Sequence, residues 1–520
     1  MKATSLALAT ALTLTLAYSP TVLGQLPGLP DQIEDTVERT VQAQAERAQQ
    51  QAQQIAEQAA QQAAEQATQQ AAEQAAERAG DTAGERIVDQ LPAAVDRVNE
   101  RLPDVAERAQ ERLPDAAQRA QDRIADLAEN AVGPLGRIEG PLDNLPDRLE
   151  ILNRLGDQVF VEIEIAAQTR ALDSEWLMLL TPEQLALLEA QGGDLLQFQE
   201  SAEQLDGLGG TLVRFRVPEA LNTDEAVRRL VPEPLRDQLD RNLIYTPQAE
   251  PSVEQPLAMP MQPVCEVPVS LGMIDSAVET QHPAFAQQSD GDLITRSFLG
   301  TDINQPPGHG TAVAGMLIGR GQKLQPLLPR GTLYAASVVY SQGTYHSGAT
   351  LAHLLNALNW LVQQDLQVIN MSLTGPPSVS LQKAIEAIQA QGKLVVAAAG
   401  NDGPHAGPRY PAAYAGVVAA TAVEPDRGIY PWANQGDHVD FAALGVSIVT
   451  ARAGGQFGVE SGTSMASPVV AAFLACALAN SGVDSSTALE LLQRQAIDLG
   501  EPGRDPVFGY GLLYPPQTSE

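Results

Sequence analysis

Four short stretches in the second half of the chain carry side chains that together could hydrolyse an acyl bond. Asp275 lies in GMIDS, His309 in HGTAVAG, Asn401 in AAAGND and Ser464 in SGTSMASP. A serine hydroxyl needs a base to become a nucleophile near neutral pH, an imidazole can take and return the proton, and a carboxylate can hold that imidazole in the required tautomer. These residue types predict nucleophilic hydrolysis.

The chain order Asp, His, Ser and the sequences around these residues resemble the subtilisin-like serine peptidases (subtilases) over residues 265–520. The resemblance implies that Ser464 is the nucleophile, His309 the general base and Asp275 the group that orients His309. It also implies that Asn401 donates a side-chain N–H to the oxyanion, with the backbone N–H of Ser464 as the second donor. Ala277 stands where the family usually has a glycine.

Two extended segments match family strands that pair with a bound peptide. They consist of Ser372, Leu373, Thr374 and Gly375, and of Ala398, Ala399 and Gly400. Their small side chains predict an open specificity pocket that accepts a sizeable apolar side chain. Structural calcium is frequent in the family, but no Asp, Asn or Glu cluster here has a convincing loop spacing, so no cofactor is predicted.

The elements around these residues predict an α/β fold, a subtilisin-like parallel sheet flanked by helices, for residues 265–520. Predicted strands cover Val267–Ile274, Leu333–Tyr340, Val368–Leu373 and Leu394–Ala399, and predicted helices cover Leu351–Gln363 and Ser380–Gln391. Asp275 and Asn401 follow directly after two of these strands, where open α/β sheets place their functional groups.

Residues 147–247 are predicted to form a small α+β domain. Predicted strands are VFVEIEI (159–165), TLVRFRV (211–217) and Asn242–Tyr245, with helices after the capping sequence Thr181-Pro182-Glu183-Gln184 and over Thr223–Leu230. Val213, Phe215 and Val217 are expected to point inward. The pattern is similar to the prodomains of subtilases, which assist folding as intramolecular chaperones and then occupy the cleft as inhibitors. A small domain of unrelated role is the alternative.

The N-terminus is predicted to be a signal peptide over residues 1–24. Lys2 supplies a positive start, Leu6–Ala17 an apolar core, and Val22 and Gly24 precede a cut ahead of Gln25. A lipoprotein signal would need a cysteine at that position. No later segment is expected to reach the 18–20 apolar residues of a membrane span, so we expect export to the periplasm or the medium without a transmembrane segment.

Residues 25–146 are rich in Ala, Gln and Glu and contain an 11-residue repeat. Leu91-Pro92, Leu102-Pro103 and Leu113-Pro114 mark it, and so little bulky apolar side chain cannot form a globular core. We predict a helical or disordered stalk. A coiled-coil module that binds a helical partner through residues 31–130 is the alternative.

The stretch 248–264 is rich in proline and is predicted to be a linker. If the preceding domain is a prodomain, the precursor is a zymogen that cuts itself between Tyr245 and Cys265.

Composition restricts the partners. With 64 acidic and 32 basic residues the formal charge is −32, which argues against nucleic acid and anionic membranes. The two cysteines, Cys265 and Cys476, could form a disulfide, or Cys476 could be a buried free thiol. The five histidines other than His309 fit structural or surface roles better: His282, His346, His353, His405 and His438.

The function predicted from the sequence is a serine endopeptidase that acts on polypeptides and processes itself. The alternative is a catalytically silent binding or scaffold protein on a subtilase fold. A non-peptidase hydrolase is disfavoured because the triad order would be wrong for a G-x-S-x-G elbow.

Overall fold

The computed structural model describes residues 145–247, 261–286, 292–300, 303–342 and 346–514, all within one compact unit, Glu139–Glu520. We call residues 145–247 the N-terminal part and residues 261–514 the C-terminal part. The predicted signal peptide, nearly all of the predicted stalk, and residues 248–260 of the predicted linker lie outside the described residues.

The N-terminal part is an antiparallel sheet with two short α-helices. Its strands are β1 Arg148–Leu152, β2 Gln158–Ala166, β3 Thr169–Leu180, β4 Gln199–Leu205, β5 Gly210–Arg216 and β6 Asp240–Pro247, and its helices are α1 Pro182–Gln191 and α2 Asp224–Leu230. The central strand β3 pairs with β2, β5 and β6, while β1 extends the sheet beyond β2 and β4 extends it beyond β5.

Local sequence explains why these helices begin where they do. Thr181 forms a complete capping box with Gln184, and Pro182 occupies the first helical position of α1. Thr223 caps α2 through the N–H of Ala226. Val213, Phe215 and Val217 are buried, as predicted for their strand.

The strand predicted for residues 159–165 lies within β2, but its alternation of apolar and acidic residues does not match its buried positions. Val161 is buried, whereas Val159 and Ile165 are exposed and Glu162 is completely buried. The reason is that β2 is flanked by part of the C-terminal part, which supplies polar partners to Glu162. The strands β1, β3 and β4 were not predicted at all.

The C-terminal part has an eight-stranded, entirely parallel sheet at its centre. The strands of the whole C-terminal part, including those outside this sheet, are β7 Val269–Asp275, β8 Leu293–Ser297, β9 Gly331–Ser337, β10 Tyr340–Gln342, β11 His346–Thr350, β12 Val368–Met371, β13 Leu373–Thr374, β14 Leu394–Ala398, β15 Val418–Val423, β16 Val439–Leu444, β17 Ile448–Arg452, β18 Gln456–Glu460 and β19 Leu512–Leu513. The sheet order is β19-β16-β15-β14-β12-β7-β9-β8. This confirms the predicted α/β architecture.

Helices cover both faces of this sheet, which is why its strands are apolar almost throughout. They are α3 Gly308–Ile318, α4 Leu351–Val362, α5 Val379–Ala390, α6 Thr463–Ser481 and α7 Ser485–Gln495. Along β7 the side chains alternate between two cores. Met273 packs in the cluster that contains α3 and α6, and Ile274 in the cluster that contains α4 and α5.

Helix α6 corrects one sequence expectation. Its 19 residues are long and apolar enough to cross a membrane, although no such segment was expected after the signal. Most of the helix, however, is buried inside the protein, as in the core helix of a globular domain. Cys476 on this helix forms a disulfide with Cys265, so the open question about these cysteines is answered by a cross-link.

Candidate active site

The first two candidate residues lie at adjoining ends of a strand and a helix. Asp275 ends β7, and His309 is the second residue of α3, where its Nδ1 donates to Oδ1 of Asp275 at 2.7 Å. The same carboxylate oxygen accepts the N–H of Ser276 at 2.6 Å. Gly310 lets α3 approach this closely, because a Cβ there would lie 2.3 Å from the carbonyl oxygen of Ser276. Ala277 adopts an ordinary φ, so the missing family glycine leaves the turn unstrained.

The imidazole of His309 is prepared to accept a proton. Burial by itself would lower the pKa of His309, but the neighbouring Asp275 carboxylate, and more weakly Glu460, raise it above its ordinary value. Since Nδ1 is held by Asp275, Nε2 is the nitrogen that can act as a base. Within the described residues Nε2 is buried and makes no hydrogen bond, so the structure does not show a Ser464–His309 hydrogen bond.

Ser464 is the second residue of α6 and is completely buried. Its backbone N–H lies in the first turn of α6, where N–H groups have no acceptor within the same helix. The carbonyl oxygen of Ser464 accepts the hydroxyl of Ser372 at 3.0 Å. This bond ties the candidate nucleophile to the first of the two predicted substrate-binding segments.

Asn401 is hydrogen-bonded to Thr463, the residue that precedes Ser464. Its Oδ1 accepts both the backbone N–H of Thr463, at 3.0 Å, and the hydroxyl of Thr463, at 2.9 Å. These two bonds fix which way the amide points, with the oxygen toward Thr463. An amide N–H oriented in this way is a suitable donor to negative charge that develops next to Ser464.

The segment Leu373–Thr374 is paired with a strand of the N-terminal part. Strand β6 lies between β11 and β13 and is antiparallel to both: Tyr245 faces Ala349, and Thr246 faces Thr374. Pro247 then faces Leu373, so the strand runs toward Ser372 and Ser464. An extended piece of the chain itself therefore occupies a cleft of one strand's width.

Tyr245 is the side chain of β6 that is enclosed most completely. It is entirely buried, its hydroxyl donates to the carbonyl oxygen of Pro376 at 3.0 Å, and its ring lies where a Cβ on Gly375 would be, 2.3 Å away. A glycine at this place is thus what allows an aromatic ring to enter the cleft.

The second predicted segment, Ala398 to Gly400, is engaged with the sheet. Ala398 pairs with Ala420, the N–H of Ala399 donates to the carbonyl oxygen of Ala420, and the N–H of Gly400 donates to the Thr463 hydroxyl. None of the contacts described joins it to β6. Its place as a substrate-binding segment therefore remains a prediction.

Sequence reasoning missed three side chains around the site. Asn434 is completely buried and supports the loop of Asn401 by accepting the N–H of Asp402 at 2.8 Å. The hydroxyl of Ser276 accepts the N–H of Gly310 at 2.8 Å. Glu460 lies four residues before Ser464 and is paired with Arg452 at 2.8 Å. Only Ser276 carried a sequence signal, since it adjoins Asp275.

In the described ranges there is no group of three or more His, Cys, Asp or Glu side chains placed to hold a metal ion.

Comparison with known proteins assigns the sequence to a family. Residues 268–511 match the model of the Subtilase family. Subtilisin DY of Bacillus licheniformis is 32% identical over 251 residues, which are 47% of this chain and 88% of that relative. Minor extracellular protease Epr of Bacillus subtilis (strain 168) is 34% identical over 249 residues, but the match spans only 37% of its length.

A solved structure described as a lanthipeptide protease is 22% identical, with a TM-score of 0.41, over 47% of this chain and 86% of that one. The sequence relatives carry the assignment, because this chain covers most of a subtilisin at more than 30% identity. This chain belongs to the Subtilase family.

Proposed function

We propose that this chain is an exported serine endopeptidase that hydrolyses polypeptides through Ser464, His309 and Asp275. The observation that carries the proposal is β6, which lies extended and antiparallel between β11 and β13 and leads toward Ser464. A cleft whose two edges both pair with backbone binds an extended polypeptide. Because β6 is an internal stretch of chain, the cleft should also cleave substrates at internal bonds, as an endopeptidase does.

The proposed reaction assigns one role to each of these groups. Oγ of Ser464 attacks the carbonyl carbon while Nε2 of His309 takes its proton, and Asp275 stabilises the imidazolium. The carbonyl oxygen becomes negative and accepts from the Asn401 amide and the backbone N–H of Ser464. His309 then gives the proton to the leaving amine as the C–N bond breaks, which leaves Oγ of Ser464 acylated. Water attacks this ester with His309 as the base, and the proton returns to Oγ of Ser464 as the ester bond breaks and the acid is released.

We further propose that the N-terminal part is a prodomain that the enzyme removes by self-cleavage. The register supports a cut just beyond Pro247, because Pro247 faces Leu373 and the next position along β13 leads to Ser372, which is bonded to Ser464. Counting one residue further predicts cleavage of the bond between Gln248 and Ala249. Both residues lie outside the described ranges, so sequencing of the mature N-terminus tests the position.

A role in folding is supported by two side chains of β6 that cap helices of the C-terminal part. The Asp240 carboxylate accepts the N–H groups of Val379 and Ser380 at the start of α5, and Oδ1 of Asn242 accepts the N–H of Ala352 at the start of α4. Such caps satisfy backbone N–H groups at the starts of helices and so stabilise these helix ends. Export is supported by the predicted signal and by the name of the extracellular relative.

The test is a comparison of the wild-type chain with Ser464→Ala, expressed from Gln25 onward. We expect the wild type to shorten itself and digest casein, and the Ser464→Ala chain to remain intact with about 10⁶-fold lower turnover, the loss known for a subtilisin that lacks its serine. Ser486→Ala removes an exposed serine on α7 and serves as the matched control. Shortening at equal rates in both chains, or inactivity in both, would favour a silent binding protein.

A further inference from the structure

A second contact between the N-terminal and C-terminal parts is centred on Glu162 of β2. Its carboxylate accepts from Nε of Arg170 at 3.0 Å, from the hydroxyl of Tyr340 at 2.6 Å and from Nε2 of His346 at 2.7 Å. Glu162 and Arg170 belong to the N-terminal part, and Tyr340 and His346 to the hairpin β10–β11. We call these four residues the Glu162 clasp.

Each member of the clasp is removed from water. The exposed fraction is 0% for Glu162 and Tyr340, 4% for Arg170 and 6% for His346. Burial by itself would raise the pKa of Glu162, but the hydrogen bonds and charges of His346, Tyr340 and Arg170 lower it below its ordinary value. The carboxylate is therefore ionised near neutral pH, and because it can only accept, Nε2 of His346 is the donor in their bond.

An apolar layer seals the clasp. Ile151, Leu172 and Ile244 of the N-terminal part form one buried cluster with Leu299, Ile303 and Tyr340 of the C-terminal part. The ring of Phe160 meets that of Tyr340 edge-on, with centroids 4.9 Å apart. The N–H of Leu152 also donates to the side chain of Gln342 on β10. This contact joins the hairpin β1–β2 to the hairpin β10–β11.

A polypeptide substrate can replace β6 in the cleft, but it cannot replace the Glu162 clasp. A polypeptide substrate can pair with β11 and β13 in place of β6, because those contacts are made by backbone. A substrate does not bring a buried carboxylate to Tyr340 and His346. Opening the clasp instead leaves charged and polar groups without partners until water reaches them, which is costly for a buried, hydrogen-bonded ion pair.

We propose that the Glu162 clasp is a second binding surface, on the hairpin β10–β11, that retains the N-terminal part after the covalent link is cut. Its partner is the severed N-terminal part of the same chain, and these four side chains, rather than the strand in the cleft, set the rate at which that part leaves. This inference rests on the proposed self-processing only for its timing. Retention itself can be measured without it.

The experiment uses the full chain with Ser464→Ala and, within residues 250–260, an inserted recognition sequence for an unrelated protease. After cutting by that protease, dissociation of the N-terminal fragment is followed by size-exclusion chromatography at a series of times after dilution. In Glu162→Gln we expect the fragment to dissociate at least about tenfold faster than in the parent. Glu164→Gln, an exposed glutamate on the same strand, is the matched control and should dissociate as the parent does. Equal rates in Glu162→Gln and the parent would overturn the proposal.

A second variant keeps the test decisive if Glu162→Gln does not fold, as judged by circular dichroism before cutting. Tyr340→Phe removes one donor from the opposite side of the interface and should also accelerate dissociation. When both variants fold, their effects should be less than additive in the double variant, because both weaken one cluster. Full additivity would contradict the clasp as a unit.

Failure of the proposed function is recognised separately. A chain with Ser464 that stays intact without added protease would refute self-processing and leave the dissociation measurement unaffected. Where the wild type does cut itself, activity should lag behind the cut, and the lag should shorten in Glu162→Gln. Activity that appears together with the cut in the wild type would overturn the retention proposal.

Discussion

The candidate active site and the Glu162 clasp each contain a carboxylate bonded to a histidine. The Asp275–His309 and Glu162–His346 distances are both 2.7 Å, and both carboxylates are almost completely buried. They differ in what remains unsatisfied. Glu162 accepts from three different side chains, whereas Oδ2 of Asp275 and Nε2 of His309 have no hydrogen-bond partner among the described residues.

We interpret this difference as the one between a proposed general base and a proposed binding contact. Buried polar atoms normally form hydrogen bonds. A buried atom without a partner lowers stability, and a catalytic role is one reason for a protein to retain it. A base needs a nitrogen that can accept a proton during the reaction. A clasp is tightest when every atom is already bonded. Distance and burial alone would not distinguish the two pairs.

The largest difference between the two pairs is expected when the carboxylate of each, Asp275 or Glu162, is changed to an amide and both turnover and fragment dissociation are measured. Asp275→Asn should lower turnover of the cut enzyme by about 10⁴-fold, because the amide favours the wrong tautomer of His309, while leaving fragment dissociation unchanged. Glu162→Gln should do the reverse, since the mature C-terminal chain does not contain Glu162. Turnover on a fluorogenic peptide and size-exclusion chromatography measure the two effects after cutting at the inserted protease site. Asp275→Asn with turnover within tenfold of the parent would contradict the orienting role.

A smaller effect is expected at Asn401, the proposed side-chain donor to the oxyanion. Asn401→Ala should lower kcat by about 100- to 1,000-fold with little change in KM, the range known for the equivalent donor in a subtilisin. Asn401→Asp is the discriminating control, because it keeps an oxygen for Thr463 but removes the N–H donor. If Asn401→Asp retained most of the activity, Asn401 would support the loop rather than the oxyanion.

The smallest effect should come from Glu460, which influences the first pair from a distance. Its charge raises the pKa of His309, and His309 must be neutral to act as a base, so activity is lost as pH falls through that raised pKa. Glu460→Gln should lower the pKa and move the acidic limb of kcat/KM to lower pH, with the plateau changed only a few-fold. Glu490→Gln, an exposed glutamate on α7, is the control. An acidic limb that stays in place would show that the charge of Glu460 does not act on His309.

Sequence patterns predicted β7, β9, β12 and β14 because strands buried on both faces form continuous apolar runs, whereas the sheet strands β8, β15, β16 and β19 were not predicted. The predicted strand Val267–Ile274 corresponds to β7 Val269–Asp275, and the predicted helix Leu351–Gln363 to α4 Leu351–Val362. Continuous apolar runs and amphipathic helices are local signals, so most boundaries agree within about two residues, which is the ordinary uncertainty of helix and strand ends. The exception is the predicted strand Leu333–Tyr340, whose counterpart β9 ends at Ser337. The four candidate catalytic residues stand in sequence contexts that are equally local.

The N-terminal part was harder to predict because its order depends on distant partners. Strand β4, QESAEQL, is mostly polar and exposed and is a strand only because it pairs with β5. Glu162 looked like a solvent-facing residue in an alternating strand, and the residues that bury it, Tyr340 and His346, lie 178 and 184 positions away. His346 likewise gave no local sign of its bond. Pairwise burial of this kind leaves no periodicity in a single sequence.

The gap that β6 fills has a consequence for the proteins that this enzyme would digest. Departure of the N-terminal fragment, if it is cut off as proposed, would leave two strand edges, β11 and β13, separated by the width of one strand. A folded protein does not offer several consecutive residues with both sides of the backbone free, so it must first open locally. Digestion should then follow the free energy of local unfolding of the target. Tails and misfolded chains would be consumed, and stable neighbours in the same compartment would be spared.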